Sequence, residues 1–176
     1  YPEKEMTINK PYKEDKMEVS IPLFAIGYKD IEGMDNEKDI VKKHIAIEIL
    51  LNMIIGKSSE NYKKLYEAGE LLAEPDLDYE FSKEYAHVVI SGKSKNPQVI
   101  KNAVENTVEE FKNKGLNEEH FDRIRKKVYG DYVVEYNSVG NIARMFLADN
   151  IKGINSFDYI EEFNSVTKKY TEEILK

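Results

Sequence analysis

Apolar residues are densest between Ile40 and Ile55, and their spacing is helical. Ile40, Val41, His44, Ile45, Ile47, Leu50, Leu51 and Ile54 cover most of a helix circumference, which predicts a core helix over Glu37–Ile55. Asn36 is placed to cap it, and Gly56 to end it as a left-handed residue. Ser58 or Ser59 then caps a shorter amphipathic helix, Glu60–Ala68, with Tyr62, Leu65 and Tyr66 on one stripe and Gly69 behind it. The pattern switches to period two at Leu77–Ser82 and again at Ala86–Ser91. Leu77, Tyr79 and Phe81 oppose Asp78, Glu80 and Ser82, while Ala86, Val88 and Ile90 oppose His87, Val89 and Ser91. The short link predicts an antiparallel hairpin that Gly92 ends.

Upstream, Tyr1–Lys16 is charged, contains Pro2 and Pro11, and reads as a linker or arm. Met17–Tyr28 reads as a strand, apolar on both faces, so cover on both sides is expected for part of its length. Pro22 cannot donate to a ladder, so this strand lies at an edge or is bulged there. Downstream, Asn96–Pro97 is a helix start, with Asn at the cap and Pro in the first turn. Val99, Ala103, Val104, Thr107, Val108 and Phe111 follow at helical spacing, and Gly115 stops them. Asn117 opens another helix with Phe121, Ile124, Val128 and Tyr132 on its apolar face. Further helices are expected over Val139–Ile151, Ser156–Phe163 and Thr167–Leu175. Three strands and about six helices, with the strands split by helices, predict an α+β fold: a mostly antiparallel sheet with helices packed on one face. Three strands are few for so much helix, so a partner strand is expected after Lys176 or on another chain.

Composition narrows the function classes. The chain has 176 residues, 41% hydrophobic and 34% charged, enough for one core. Its net charge of −7 gives no electrostatic reason to bind nucleic acid or an anionic membrane. There is no cysteine, so disulfides, thiolate metal sites and a Cys nucleophile are out, and a reducing cytoplasm is the expected setting. No apolar run reaches the ~18 residues of a membrane span; Glu48 and Asn52 interrupt the longest. The first residue is Tyr1 in a polar opening, so the numbering is expected to begin inside a longer gene product.

The candidate chemistry is sparse. Gly56-Lys57-Ser58 has the tail of a phosphate loop, but Leu51 stands where the first glycine belongs and a helix precedes it. Gly92-Lys93-Ser94 fails in the same way, with His87 in that position. His44 and Glu48 share a helix face and could give two metal ligands; a third is lacking, and neither H-x-x-E-H nor H-E-x-x-H occurs. A satisfied, partly buried histidine is the better reading of His44. No G-x-S-x-G elbow supports a serine nucleophile, and adjacent carboxylates such as Glu118-Glu119 do not face one another on a helix.

Several segments nevertheless carry a resemblance. Ile55-Gly56-Lys57-Ser58-Ser59 and the helix after it, with Leu65, Glu67, Gly69 and Leu71, resemble the insulinase/pitrilysin-like zinc metallopeptidases, which include the mitochondrial processing peptidases. Ile90-Ser91-Gly92 with Asn96-Pro97, and Gly115-Leu116-Asn117-Glu118-Glu119-His120-Phe121 with Arg125-Lys126-Lys127, are similar to later family segments. Val166-Thr167 resembles the opening of the last helix, and Asn137-Ser138 to Ile142-Ala143 the zinc-bearing member of paired bacterial processing-peptidase-like chains. The resemblance runs from about Met17 to Leu175.

It implies that residues 17–176 form the C-terminal, non-catalytic half-domain of a zinc endopeptidase, without the family's last strand. Zinc would sit in the other half of the parent chain, with no metal ligand and no catalytic residue here. The half would enclose a peptide or small unfolded protein substrate and dock the zinc-bearing N-terminal half, or a homologous partner chain. Lys57, Ser58, Ser59 and Arg144 are the chamber candidates. Arg144 and Tyr159 do not match the spacing of the family's C-terminal Arg/Tyr pair. Two rival readings are an inactive, structural subunit of the same family, and an unrelated acidic α+β interaction domain.

Overall fold

The computed structural model describes residues 7–31, 37–82 and 85–175. Asn36, offered as a helix cap, and Lys83 and Glu84 of the hairpin link lie outside them. The element order is β1 (Leu23–Asp30), α1 (Glu37–Ile55), α2 (Glu60–Glu67), β2 (Asp76–Phe81), β3 (Ala86–Lys93), α3 (Pro97–Lys114), α4 (Glu118–Glu135), α5 (Val139–Lys152), α6 (Asp158–Glu162) and α7 (Lys168–Ile174). The three strands form one antiparallel sheet in the order β1-β3-β2. Ile26 pairs with Ile90 and Tyr79 with Val88, so Phe24, Ile26, Leu77, Tyr79, Phe81, Val88 and Ile90 share one face. This is the α+β architecture expected, and each of the seven helices among the described residues falls on a helical segment named from the sequence.

α1 lies on that face and touches β2, α2, α3, α4, α6 and α7. Val41, Ile45, Ala46, Ile49 and Ile55 are fully buried on it, and Phe121, Ile124 and Val128 of α4, Ile100 and Val104 of α3, and Tyr159 and Val166 complete the same core. One charged group is taken into this core region. Lys43 of α1 sets its Nζ 2.7 Å from Asp30 Oδ2 of β1, and the Tyr79 hydroxyl donates to the same oxygen at 2.6 Å. The pair ties α1 to an edge strand and to β2 at one point.

Several boundaries differ from expectation. β1 begins at Leu23 rather than Met17, because Pro22 precedes the ladder and offers only its carbonyl, which accepts from the Ser94 amide. The face of β1 that carries Leu23 and Ala25 is exposed among the described residues, so the two-sided cover anticipated there is absent within the chain. β3 runs through Gly92 to Lys93, since glycine in extended backbone need not end a strand. Gly92 lies against the Phe24 ring, where a Cβ would come within 3.2 Å of it. Asn96 makes no side-chain cap; its own amide donates to Ser94 Oγ, and Pro97 still opens α3.

Gly56 is not left-handed. A Cβ there would stand 2.7 Å from the Asn52 Cα, so close approach, not positive φ, demands glycine. Among the described residues, Gly69, Gly115 and Gly153 have positive φ. Ser59 rather than Ser58 caps α2, accepting from the Tyr62 amide at 3.0 Å.

Candidate functional site

α1 is buried nearly all round, with one exception from His44 to its end. His44, Glu48 and Asn52 stand at i, i+4 and i+8 and are each only half-buried. α4 faces this polar row with Lys127, Val128, Asp131, Tyr132 and Glu135. Between them lies a cavity of about 230 Å³, lined by Glu48, Asn52, Val128, Asp131, Tyr132 and Glu135. Lys127 closes one end. Its Nζ donates to Asn52 Oδ1 at 3.1 Å and to Asp131 Oδ2 at 2.7 Å.

Electrostatics divides the row. Glu48 keeps 44% of its side-chain surface, yet crowding by protein and then the negative charge of Asp131 raise its carboxyl to about 7. Burial, reinforced by the nearby Lys152 ammonium, pushes His44 down to about 3, so its imidazole is neutral at pH 7. His44 Nδ1 meets the Tyr159 hydroxyl at 2.6 Å. Burial raises the Tyr159 phenol, so it stays protonated and can donate to Nδ1. When the phenol donates, the imidazole proton sits on Nε2, 3.8 Å from Glu48 Oε1. Tyr79, Phe81 and Tyr159 ring the imidazole, with centroids between 5.1 and 5.7 Å away. His44 is thus a satisfied histidine in an aromatic cage, as its sequence context indicated.

These residues do not fit a resident zinc. The three histidines lie apart: His44 is on α1, His87 is on the sheet face opposite α1, and His120 is in the first turn of α4. Among the described residues no three His, Cys, Asp or Glu side chains are grouped to hold a metal ion. No phosphate loop forms at Gly56 or Gly92 either, since one follows a helix and the other lies within β3.

The four chamber candidates fall in two places. Lys57, Ser58 and Ser59 form the α1–α2 link. Lys57 and Ser58 are exposed; the Ser58 carbonyl accepts from Arg123 of α4 at 3.4 Å. Ser59 is buried and its hydroxyl is occupied as the α2 cap. Arg144 is exposed on α5 and donates to Asn141 one turn back. No hydrogen bond or ion pair among the described residues joins the two places. The α1/α4 cavity was not anticipated. Its signal was present in Glu48 and Asn52, which interrupt the apolar run in register with His44; the α4 side needed the helix packing.

No protein-family model matches the chain. It is 24% identical over 166 residues to a Bacillus subtilis protein named "Uncharacterized zinc protease YmfH", covering 93% of this chain and 38% of that protein. Its fold is similar to that of an Alicyclobacillus acidocaldarius protein described as an M16-like peptidase: TM-score 0.81 at 20% identity, covering 89% of this chain and 38% of the other. A protease from Helicobacter pylori matches with TM-score 0.70 at 17% identity, over 91% of this chain and 38% of its own. The inactive peptidase domain of a Bordetella parapertussis zinc protease matches with TM-score 0.66 at 10% identity, over 88% and 82%. The chain therefore spans about two fifths of the curated relative it matches, but most of the Bordetella domain. In sequence the chain is similar to a protein named as a zinc protease, and its fold is that of an M16-like peptidase half-domain over nearly its whole length.

Proposed function

We propose that this chain is the non-catalytic half of a zinc-dependent endopeptidase, walling the space in which a peptide or small unfolded protein is held while the other half cleaves it. One observation carries the reading: a half-domain fold shared with peptidases over nearly the whole chain, in which no three His, Cys, Asp or Glu side chains among the described residues are grouped to bind a metal ion. Enclosure lowers the entropic part of the barrier by holding an unfolded segment near the reacting groups. The sheet face turned away from α1, with Lys29, His87, Asp76 and Asp78, is open and polar, which suits an extended peptide better than the acidic α1/α4 cavity does. The absence of cysteine supports work in a reducing cytoplasm, and no helix of the described residues is long and apolar enough to cross a membrane.

The test is peptide hydrolysis by the parent protein with this half removed and then returned in trans. Turnover lost on removal, restored on return, abolished by a chelator and absent from this half alone is the expected result. Chelator-sensitive turnover by this half alone, or full turnover without it, would overturn the reading. A structural, inactive subunit is the second reading, and it predicts no turnover in any combination. The Bordetella neighbour, described as an inactive peptidase domain, shows that this fold occurs in a domain so described.

A further inference from the structure

α5 exposes what a helix ordinarily buries. Val139, Ala143, Leu147 and Ile151 stand at i, i+4, i+8 and i+12 and form one stripe along its whole length. Val139 is 84%, Leu147 64% and Ile151 77% exposed, and Ala143 is exposed as well. Single exposed apolar residues need no explanation, but four in one row make a contiguous patch. The helix is held from its other side and chiefly through its last turns. Ser156 Oγ donates to the buried Asp149 at 2.6 Å, Lys152 pairs with Glu80 at 3.1 Å and lies 4.4 Å above the Phe81 ring, and Phe146 meets Phe157 edge to face. Exposed faces of α2 and α3 carry internal ion pairs instead, Lys64 with Glu60, Lys101 with Glu105 and Lys114 with Glu110, while α4 exposes Val133 and Val134 in its last turn.

We infer that the α5 stripe is the seat of the rest of the longer protein, which meets it with an apolar face and a carboxylate opposite Arg144. The inference rests on the proposal that this chain is one half of such a protein. The matched region is only 38% of the Bacillus and Alicyclobacillus chains, so most of each relative has to pack somewhere outside it. A second copy is the poorer occupant. Two chains of charge −7 repel. Across a two-fold axis the stripe would meet itself antiparallel, and Arg144, one residue from its midpoint, would face its own copy. Arg144 has no ion-pair partner among the described residues, and a carboxylate on a different surface would supply one.

The chain has no cysteine, so a single introduced one is a unique reporter within it. In the full-length parent, Leu147→Cys and, separately, Lys64→Cys are labelled with a maleimide, and adducts are located by peptide mass spectrometry. The two native side chains are comparably exposed, at 64% for the residue and 74% for the side chain. Labelling at 147 is expected to be at least roughly ten-fold slower than at 64, because it waits on opening of the interface. Adding Arg144→Glu is expected to speed it; no change would remove the carboxylate from the proposal. Equal rates at 147 and 64 would overturn the docking surface. So would protection that vanishes on dilution, which marks a second copy, or protection that appears only with added peptide, which marks substrate. A parent that lacks zinc and peptidase activity but protects position 147 would sink the peptidase reading and leave the docking surface standing. An active parent with a reactive position 147 would do the reverse.

Discussion

α1 and α5 are opposites. α1 is apolar almost all round, and its exception is a polar row from His44 to Asn52 that the fold meets with α4. α5 turns an apolar stripe to solvent, and the one side chain it buries fully is an acid, Asp149. Both departures cost free energy in isolation, and only one is compensated within this chain. In the polar row of α1, His44 meets Tyr159 and Asn52 meets Lys127, which Asp131 in turn holds. The stripe of α5 finds nothing among the described residues. A chain can therefore fold around a complete core and still display an apolar surface that its described residues leave uncovered.

Substitutions can break this contrast. The largest effect is expected at the ion pair that anchors α1. Lys43→Ala leaves Asp30 charged and enclosed, and should cost about 3–5 kcal/mol in urea unfolding, as removal of one partner of a buried pair generally does. Next, Ile49→Ala in the fully buried face of α1 should cost about 2–5 kcal/mol through lost burial and the cavity left behind. A loss below that range would mean that the α1 environment is looser than described. Asp149→Ala should cost about 1–3 kcal/mol, the penalty for stranding the Ser156 hydroxyl. Release of α5 should be visible as faster amide exchange along 139–152.

The polar row makes a pH prediction. Glu48 titrates near 7 in the folded state against an ordinary value of 4.5, so the folded chain holds more protons and stability falls as pH rises across that window. His44 titrates near 3 against 6.5, so the unfolded chain holds more protons and stability rises with pH between those values. Between pH 4.5 and 6.5 the two slopes oppose each other. Glu48→Gln removes the falling one, and urea midpoints of that variant should rise with pH more steeply than those of the parent sequence. Superimposable profiles would show that Glu48 is not crowded as the geometry indicates. The smallest effect is expected on α5: Leu147→Ala should change the stability of this half by no more than ~0.5 kcal/mol, as exposed substitutions do.

Much of the fold was legible because local rules and tertiary structure agreed. The α1 boundaries follow from a run apolar on every side, and the β2–β3 hairpin from two clean alternations that fit one face against α1. The errors lie where a residue type has two possible reasons. Gly56 suits a left-handed end, yet close approach to Asn52 is what demands it. Asn96 suits a cap, yet Ser94 takes the local amide. Met17–Pro22 has strand composition, yet lacks a ladder partner among the described residues.

What the sequence determined by itself was most of the secondary structure, the fold class and the resemblance, because periodicity, caps and ordered motifs are properties of neighbouring residues. Only the tertiary structure decided which polar residues matter. His44, Glu48 and Asn52 share a row by helical spacing, but Lys127 and Asp131 reach them from 75 or more residues along the chain. The stripe of α5 reads in sequence like any buried helical face. Whether a face is covered depends on what packs against it, and no local pattern carries that.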